Sequence, residues 1–316
     1  MTLRILNLEP DGYSPQARRI LESCGEVIDG SLSRADLLAA LPGYDVLITR
    51  FGHHLDHELF SRATRLKALV TATTGLDHID LVAAAEKGIA VLSLKGETEF
   101  LRSVPATAEH TWALLLALVR RLHAAVASVQ AGQWARDPFR GHDLAGKRLG
   151  LVGVGRIGSR VAGYGLAFGM QVGGYDPHPA SRVSGVTYFD TLPALLAWSQ
   201  IISIHVPLEP ATAGLIGAEQ LAALPSGAWL INTSRGAVVD ESALLAALGS
   251  GHLAGAALDV LENEAALQAG APHPLVDYAR TYDNLLITPH IGGATFESMA
   301  MTEVFMAEKL KAFLSV

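Results

Sequence analysis

Short β-branched runs alternate with Ala/Leu-rich amphipathic segments along almost the whole chain. That rhythm calls for parallel strands joined by crossover helices, because a tight turn cannot join a parallel pair. In the first third the runs are RILNL from Arg4, DVLITR from Asp45, KALVTAT from Lys67 and AVLSL from Ala90. Helix starts fall between them. Ser14-Pro15 offers a capping hydroxyl before a proline suited to the first helical position, and Ser33 with Asp36 forms a capping-box pattern. Gly88 closes another helix after Glu86-Lys87. After Leu94 the rhythm breaks: residues 95–105 read as a loop. One long helix is then predicted over 106–129, apolar on more than one face and therefore buried between domains or subunits.

A connecting loop at 137–147 leads to a second α/β set. Its runs are RLGLVGVG, QVGGYD, IISIHV, AWLINTS, AGAALDV and NLLITPH, and an amphipathic helix over 296–314 follows. The expected fold class is α/β, with two doubly wound parallel-sheet domains. A length of 316 residues suits two such domains, and 50% hydrophobic with 17% charged residues is a globular composition. The most apolar stretch, 112–119, is far shorter than the ~18 residues of a membrane span. No basic region or cleavage site precedes the first strand, so neither leader nor membrane partner is expected. Cys24 is the sole cysteine, which forbids an intrachain disulfide and fits a reducing, cytoplasmic setting. A formal net charge of −7 without a basic run argues against nucleic acid as a partner. Acidic small molecules stay open, because one buried arginine can dominate its local field.

Gly153-Val154-Gly155-Arg156-Ile157-Gly158 matches GxGxxG between a strand and a helix, the context this motif needs. The first glycine makes the turn, the second admits a pyrophosphate, and the third lets helix and strand pack closely. Asp176 ends the next strand 18 residues after Gly158, where a carboxylate binds a ribose 2′-hydroxyl and repels a 2′-phosphate. No arginine follows in DPHP, so NAD is expected over NADP.

Arg235, Glu264 and His290 each follow a glycine-punctuated, strand-like run. A guanidinium grips a carboxylate through two parallel hydrogen bonds, and an imidazole beside a carboxylate suits proton delivery. The set fits polarising and protonating the carbonyl of a 2-oxo acid while a bound cofactor supplies hydride. Glu262 is a nearby rival for the acidic role. His53, His54 and His57 lack cysteine neighbours and read as a solvated face, so no metal is expected.

GVGRIG with YDP, HVPL, INTSRGAVVDESAL, AGAALDV and TPHIGGAT occur in this order. With TTGLDHIDL and TAEHTWALLLAL upstream, the chain resembles the D-isomer-specific 2-hydroxyacid dehydrogenases over nearly its whole length. The phosphoglycerate and hydroxypyruvate enzymes belong to that family. The resemblance implies a flavodoxin-like substrate domain from 1–99 and 291–316, with an NAD-binding Rossmann domain over 100–290 inserted between. It implies a homodimer to which the long helix contributes. By the same match Arg235, Glu264 and His290 are catalytic, Glu264 being selected as the fifth residue after Asp259. Asp259 would bind the nicotinamide carboxamide. His205, Val206, Pro207, Thr212, Thr233, Ser234, Gly292 and Gly293 would join the glycine loop around NAD. Backbone at Thr74, Gly75 and Leu76 would bind the substrate carboxylate.

Departures concern the substrate. Ala265 follows Glu264 where the family usually has proline, and residues 265–284 form a long segment. Arg50 is placed to reach a second anionic group such as a phosphate, although Phe51 beside it is bulky, and Arg102 and Ser103 are further candidates for the cleft. Corepressors of related fold, which bind NAD to assemble, are the alternative to an enzyme. Formate dehydrogenases differ by having glutamine at the position of Glu264.

Overall fold

The computed structural model describes residues 2–177 and 182–315. The chain divides into two compact units. One combines the residues up to Val104 with those from Ala294 onward, and the other is Pro105–Gly293.

The first unit has strands β1 (Leu3–Asn7), β2 (Gly25–Asp29), β3 (Val46–Thr49), β4 (Ala68–Thr71) and β5 (Ala90–Leu92). Its helices are α1 (Pro15–Glu22), α2 (Arg34–Ala40), α3 (His57–Arg62), α4 (Leu81–Glu86), α5 (Thr98–Leu101) and the carboxy-terminal helix Phe296–Leu314. All strand pairs are parallel, in the order β2-β1-β3-β4-β5, the flavodoxin-like doubly wound arrangement. Strand periodicity sends Ile5, Val46 and Val70 to one face, where they meet Leu21 of α1 with Met306 and Leu310 of the last helix. Leu6, Leu47 and Leu69 point the other way, onto Leu37, Leu59 and Phe60. Both faces are thus covered, which is why β3 and β4 are continuous apolar runs.

The second unit carries β6 (Arg148–Val152), β7 (Gln171–Tyr175), β8 (Val186–Tyr188), β9 (Ile201–Ile204), β10 (Ala228–Asn232), β11 (Leu253–Leu258) and β12 (Leu285–Ile287). Its helices are α6 (Ala106–Val119), α7 (Leu122–Gln130), α8 (Arg156–Ala167), α9 (Leu192–Trp198), α10 (Ala218–Ala222), α11 (Glu241–Gly249), α12 (Glu264–Gln268) and α13 (Pro274–Ala279). The order β12-β11-β10-β9-β6-β7-β8 is the dinucleotide-binding arrangement with one further parallel strand. The chain reverses its winding between β6 and β9, so the segments after these strands flank the crevice where ligands bind in such sheets.

Three local expectations are corrected. Residues 98–101 form a helical turn, α5, inside the stretch read as loop. Two strands, β2 and β8, went unread; both are sheet edges, where exposure removes the apolar signal. The helix predicted over 106–129 is two helices, with a bend of 67° between the helical stretches Thr98–Val119 and Leu122–Gln130. Arg121 at the break has φ +51°, and its guanidinium donates to the Pro138 carbonyl and pairs with Asp283. Tertiary anchoring therefore overrides a locally helical composition. Trp112, Leu115 and Leu118 of α6 are buried in the second unit's core, whereas α7 buries none of its residues there.

Candidate active site and cofactor loop

The Gly153–Gly158 loop follows β6 as the sequence requires. Gly153 has φ +87°, and a Cβ there would stand 2.8 Å from the His205 carbonyl oxygen. Gly155 caps α8 and a Cβ there would meet nothing within 4 Å, which leaves its amide edge open to a phosphate. At Gly158 a Cβ would lie 2.2 Å from the Gly153 carbonyl oxygen, so only glycine permits this helix–turn contact. Asp176 Oδ2 accepts from Val154 N at 2.9 Å, fixing the carboxylate beside the loop. The next segment, 178–181, lies outside the described residues. Glycine turn, helix N-terminus and carboxylate together fit a dinucleotide with a free 2′-hydroxyl.

Beyond β9, His205 Nε2 is 2.9 Å from Ser203 Oγ. Burial pushes this imidazole down from its ordinary 6.5 to about 3, so the ring is neutral near pH 7 and lines the crevice without delivering protons. The unfolded chain takes up a proton at His205 as pH falls below about 6.5, and the folded protein does not. Stability is therefore complete above that value and declines toward pH 3. A loss of about 1–2 kcal/mol between pH 7 and pH 5 is expected, His205 as a residue being half-buried. His205→Gln should flatten the urea midpoint over that range, and an equally steep pH dependence would remove His205 as its source. Thr212 Oγ1 donates to the Pro207 carbonyl at 2.6 Å and accepts from Glu209 N at 2.9 Å, closing the turn after HVPL, while Val206 packs by Gly153.

At the end of β10, buried Asn232 builds the turn that carries Arg235. Its Oδ1 accepts from Ser234 N and Oγ, and its Nδ2 donates to the Arg235 carbonyl at 2.9 Å. Thr233 Oγ1 is 2.7 Å from Thr111 Oγ1 of α6. Arg235 is half-buried, with Nη1 donating to the Ser234 carbonyl at 2.8 Å. Gly236 then touches the turn leading to Glu264: a Cβ there would lie 2.0 Å from Leu261 C.

His290 Nδ1 and Glu264 Oε2 are 2.7 Å apart, and the other carboxylate oxygen, Oε1, accepts from Leu261 N at 3.1 Å. Glu262 is exposed. His290 has φ +55°, uncommon for a residue with a side chain. Asp259 maintains that geometry. Its carbonyl accepts from His290 N at 2.9 Å. Its Oδ1 accepts from Thr288 Oγ1 at 2.6 Å and Ile291 N at 2.9 Å, and Oδ2 accepts from Gly292 N at 2.7 Å. His110 Nε2 lies 3.1 Å from the same Oδ1 and 3.0 Å from Thr288 Oγ1. Burial opposes ionisation of Asp259, but hydrogen bonds from His110, Thr288 and Ile291 N prevail and hold it below the usual carboxylate range. Both oxygens of Asp259 are thus engaged by the loop that bears His290. A Cβ at Gly292 would sit 2.8 Å from Oδ2, while one at Gly293 would be in open space. His110, Thr111, Asn232 and Thr288 escaped sequence reasoning.

Arg50, Thr74, Gly75, Leu76 and Arg102 belong to the first unit. A cavity of about 490 Å³ lies at the carboxyl ends of β1 and β3, where that sheet's winding reverses; Glu9, Asp11, Arg50 and His53 line it. Arg50 Nε is 3.6 Å from Glu9 Oε2, and its Nη2 is 3.6 Å from Glu303 Oε1 and donates to the Glu9 carbonyl at 3.1 Å. Arg50 therefore already faces two carboxylates. Thr73 Oγ1 donates to the Gly75 carbonyl at 2.9 Å, shaping a turn in which Thr74 is exposed and Gly75 and Leu76 are half-buried. Arg102 is exposed at the end of α5. Among the described residues no group of three or more His, Cys, Asp or Glu is arranged to hold a metal, and no single helix is long and apolar enough to cross a membrane.

Residues 112–292 match the model of the NAD-binding domain of the D-isomer-specific 2-hydroxyacid dehydrogenases. D-3-phosphoglycerate dehydrogenase of Methanocaldococcus jannaschii is 37% identical over 311 residues, covering 97% of this chain and 57% of the relative. The chain thus spans little more than half the length of that protein. Hydroxypyruvate reductase of Thermotoga maritima is 36% identical over 289 residues, 90% of each chain. Among solved structures, the TT0316 protein of Thermus thermophilus superposes with a TM-score of 0.85 at 38% identity, covering 99% of this chain and 97% of that one. A D-lactate dehydrogenase of Aquifex aeolicus, complexed with NAD and lactic acid, gives 0.86 at 33%, covering 99% and 95%. Fold, glycine loop and matched domain converge: the chain belongs to the D-isomer-specific 2-hydroxyacid dehydrogenase family, whose cofactor is NAD.

Proposed function

We propose that the protein is an NAD-dependent oxidoreductase interconverting a D-2-hydroxy acid and its 2-oxo acid. The observation that carries this reading is the 2.7 Å pair between His290 Nδ1 and Glu264 Oε2, with Glu264 pinned by Leu261 N. An ionised Glu264 accepts only, so the Nδ1 proton points to it and Nε2 is left to exchange a proton with substrate. In reduction Arg235 binds the substrate carboxylate and polarises the 2-oxo group. His290 gives its Nε2 proton to the oxo oxygen, and Glu264 balances the imidazolium and holds the ring's orientation. Bound NADH supplies the hydride and is left as NAD⁺. In the oxidative direction His290 Nε2 takes the hydroxyl proton.

In this reading Pro105–Gly293 is the NAD-binding domain, and the other unit is the substrate-binding domain. The Gly75-Leu76 turn would add backbone donors to the substrate carboxylate. The partner is a second copy of the chain, supported by Leu122, Val126 and Val129 of α7 and by Trp134, which are 55%, 47%, 52% and 92% exposed. The single cysteine supports a cytoplasmic setting.

The test is loss of NADH absorbance with a panel of 2-oxo acids: hydroxypyruvate, its phosphorylated counterpart, pyruvate and glyoxylate. Turnover of none of them, with NADH bound tightly, would sink the enzyme reading in favour of an NAD-dependent binding protein. Asp176→Asn checks the cofactor half, since the amide oxygen still accepts from Val154 N while the charge is gone. The preference for NADH over NADPH should shrink about tenfold, roughly 1.4 kcal/mol; an unchanged ratio would undo the role of Asp176.

A further inference from the structure

Behind the Glu264–His290 pair stands a second glutamate–histidine pair. Glu241, the first residue of α11, directs Oε1 to Glu262 N at 2.7 Å and Oε2 to His273 Nε2 at 3.1 Å. Both side chains are mostly buried, with 17% of Glu241 and 12% of His273 exposed. His273 caps α13 in the long segment 265–284, and its Nδ1 is buried without a hydrogen-bond partner. Glu241 therefore sets the orientation of the ring.

The two pairs meet in one turn. Consecutive amides serve different carboxylates: Leu261 N binds Glu264, and Glu262 N binds Glu241. Asn263 holds a left-handed conformation there with φ +57°, and no side-chain cap opens α12. On its other side the turn rests against Gly236, the residue after Arg235. Glu241 follows that same Arg235 loop by only a few residues, so its carboxylate ties the loop carrying Arg235 to the turn carrying Glu264.

We propose that Glu241 and His273 are positioning residues for the reaction: together they lock the 261–264 turn so that Glu264 stays in register with His290. The inference rests on the proposed roles of Glu264 and His290. Neither Glu241 nor His273 touches substrate or cofactor in this scheme. Their effect passes through the amide of Glu262, and a displacement of the order of 1 Å is enough to cost about a hundredfold in rate.

The experiment uses the whole protein with three variants and two readouts. The first readout is kcat and KM for a 2-oxo acid turned over in the panel. The second is the His290 Nδ1 proton in spectra of protein carrying ¹⁵N-labelled histidine, which needs no turnover. Glu241→Ala should lower kcat by about tenfold or more with KM for NADH nearly unchanged, and should broaden or abolish the Nδ1 proton signal. Glu241→Gln should restore both, because its side-chain oxygen still accepts from Glu262 N and its amide N–H donates to His273 Nε2 once the ring proton sits on Nδ1. A native kcat and ring-proton signal in Glu241→Ala, or equal damage in the Gln variant, would overturn the proposal. If no 2-oxo acid is turned over, the functional reading fails, yet the ring-proton signal still decides whether Glu241 governs the pair. Should Glu241→Ala not fold, His273→Phe leaves the bond to Glu262 in place and should still weaken the signal; an unaltered signal there counts against the lock.

Discussion

Replacing His290 with asparagine should lower kcat by about 10²–10⁴-fold while NADH affinity stays within about threefold of native. Asparagine suits the test because it tolerates the left-handed backbone that His290 adopts, with φ +55°. The loop anchored on Asp259 then keeps its shape, and the loss reports proton transfer alone. The ring's Nδ1 is taken by Glu264, so no other atom of the residue stands in for Nε2. Stopped-flow reduction of the best 2-oxo acid, with fluorescence titration of NADH, measures both quantities. A turnover within a few-fold of native would strip His290 of the acid's role, and a parallel loss of NADH binding would show damage to the cofactor site instead.

Gly236→Ala should be the most damaging single methyl group in the second unit. Its Cβ would sit 2.0 Å from Leu261 C, 2.3 Å from Leu261 O and 2.3 Å from Glu262 N. All three are backbone atoms, so no side chain can swing aside. Relief requires the Arg235 loop and the Glu264 turn to separate. Overpacking of this kind costs about 2–4 kcal/mol, and a melting shift of roughly 5–15 °C follows for a unit of this size. Activity should fall further than stability, because the shift parts two of the three proposed catalytic groups. Gly163→Ala is the control: it lies on an exposed face of α8, a Cβ there meets nothing within 4 Å, and stabilisation of about 0.5–1 kcal/mol is expected. Equal denaturation midpoints for the two variants would contradict the steric account.

What the sequence discloses divides along physical lines. Central strands announce themselves because helices cover both faces of a parallel sheet, leaving continuous runs such as ALVT and IISI. GEVID in β2 and VTY in β8 do not, since an edge strand is half solvated and its composition mimics a loop. The break at Arg121 is invisible locally, for it depends on Pro138 and Asp283, the latter 162 residues away. The glycine loop is legible because backbone geometry forces residue type at fixed spacing. The support beneath His290 is not: His110 reaches Asp259 across 149 residues, and a histidine inside an apolar helix carries no mark of its partner. Glu241 and His273 are hidden for the same reason, as two ordinary polar residues joined only by folding.

The first unit draws its core from both ends of the chain, with Met306 and Leu310 closing over Ile5, Leu21 and Val46. This has a consequence during synthesis. When the ribosome has finished the strands of that sheet at Leu92, the helix that seals one face, starting at Phe296, lies about 200 residues away. At ~5–20 residues per second those residues take roughly 10–40 s to emerge. For that interval an apolar sheet face is left for a chaperone, or for another nascent chain, to occupy. The inserted unit holds all its own strands and can fold during the wait. Deleting the final helix should make the wait permanent and yield aggregated first unit beside intact second unit.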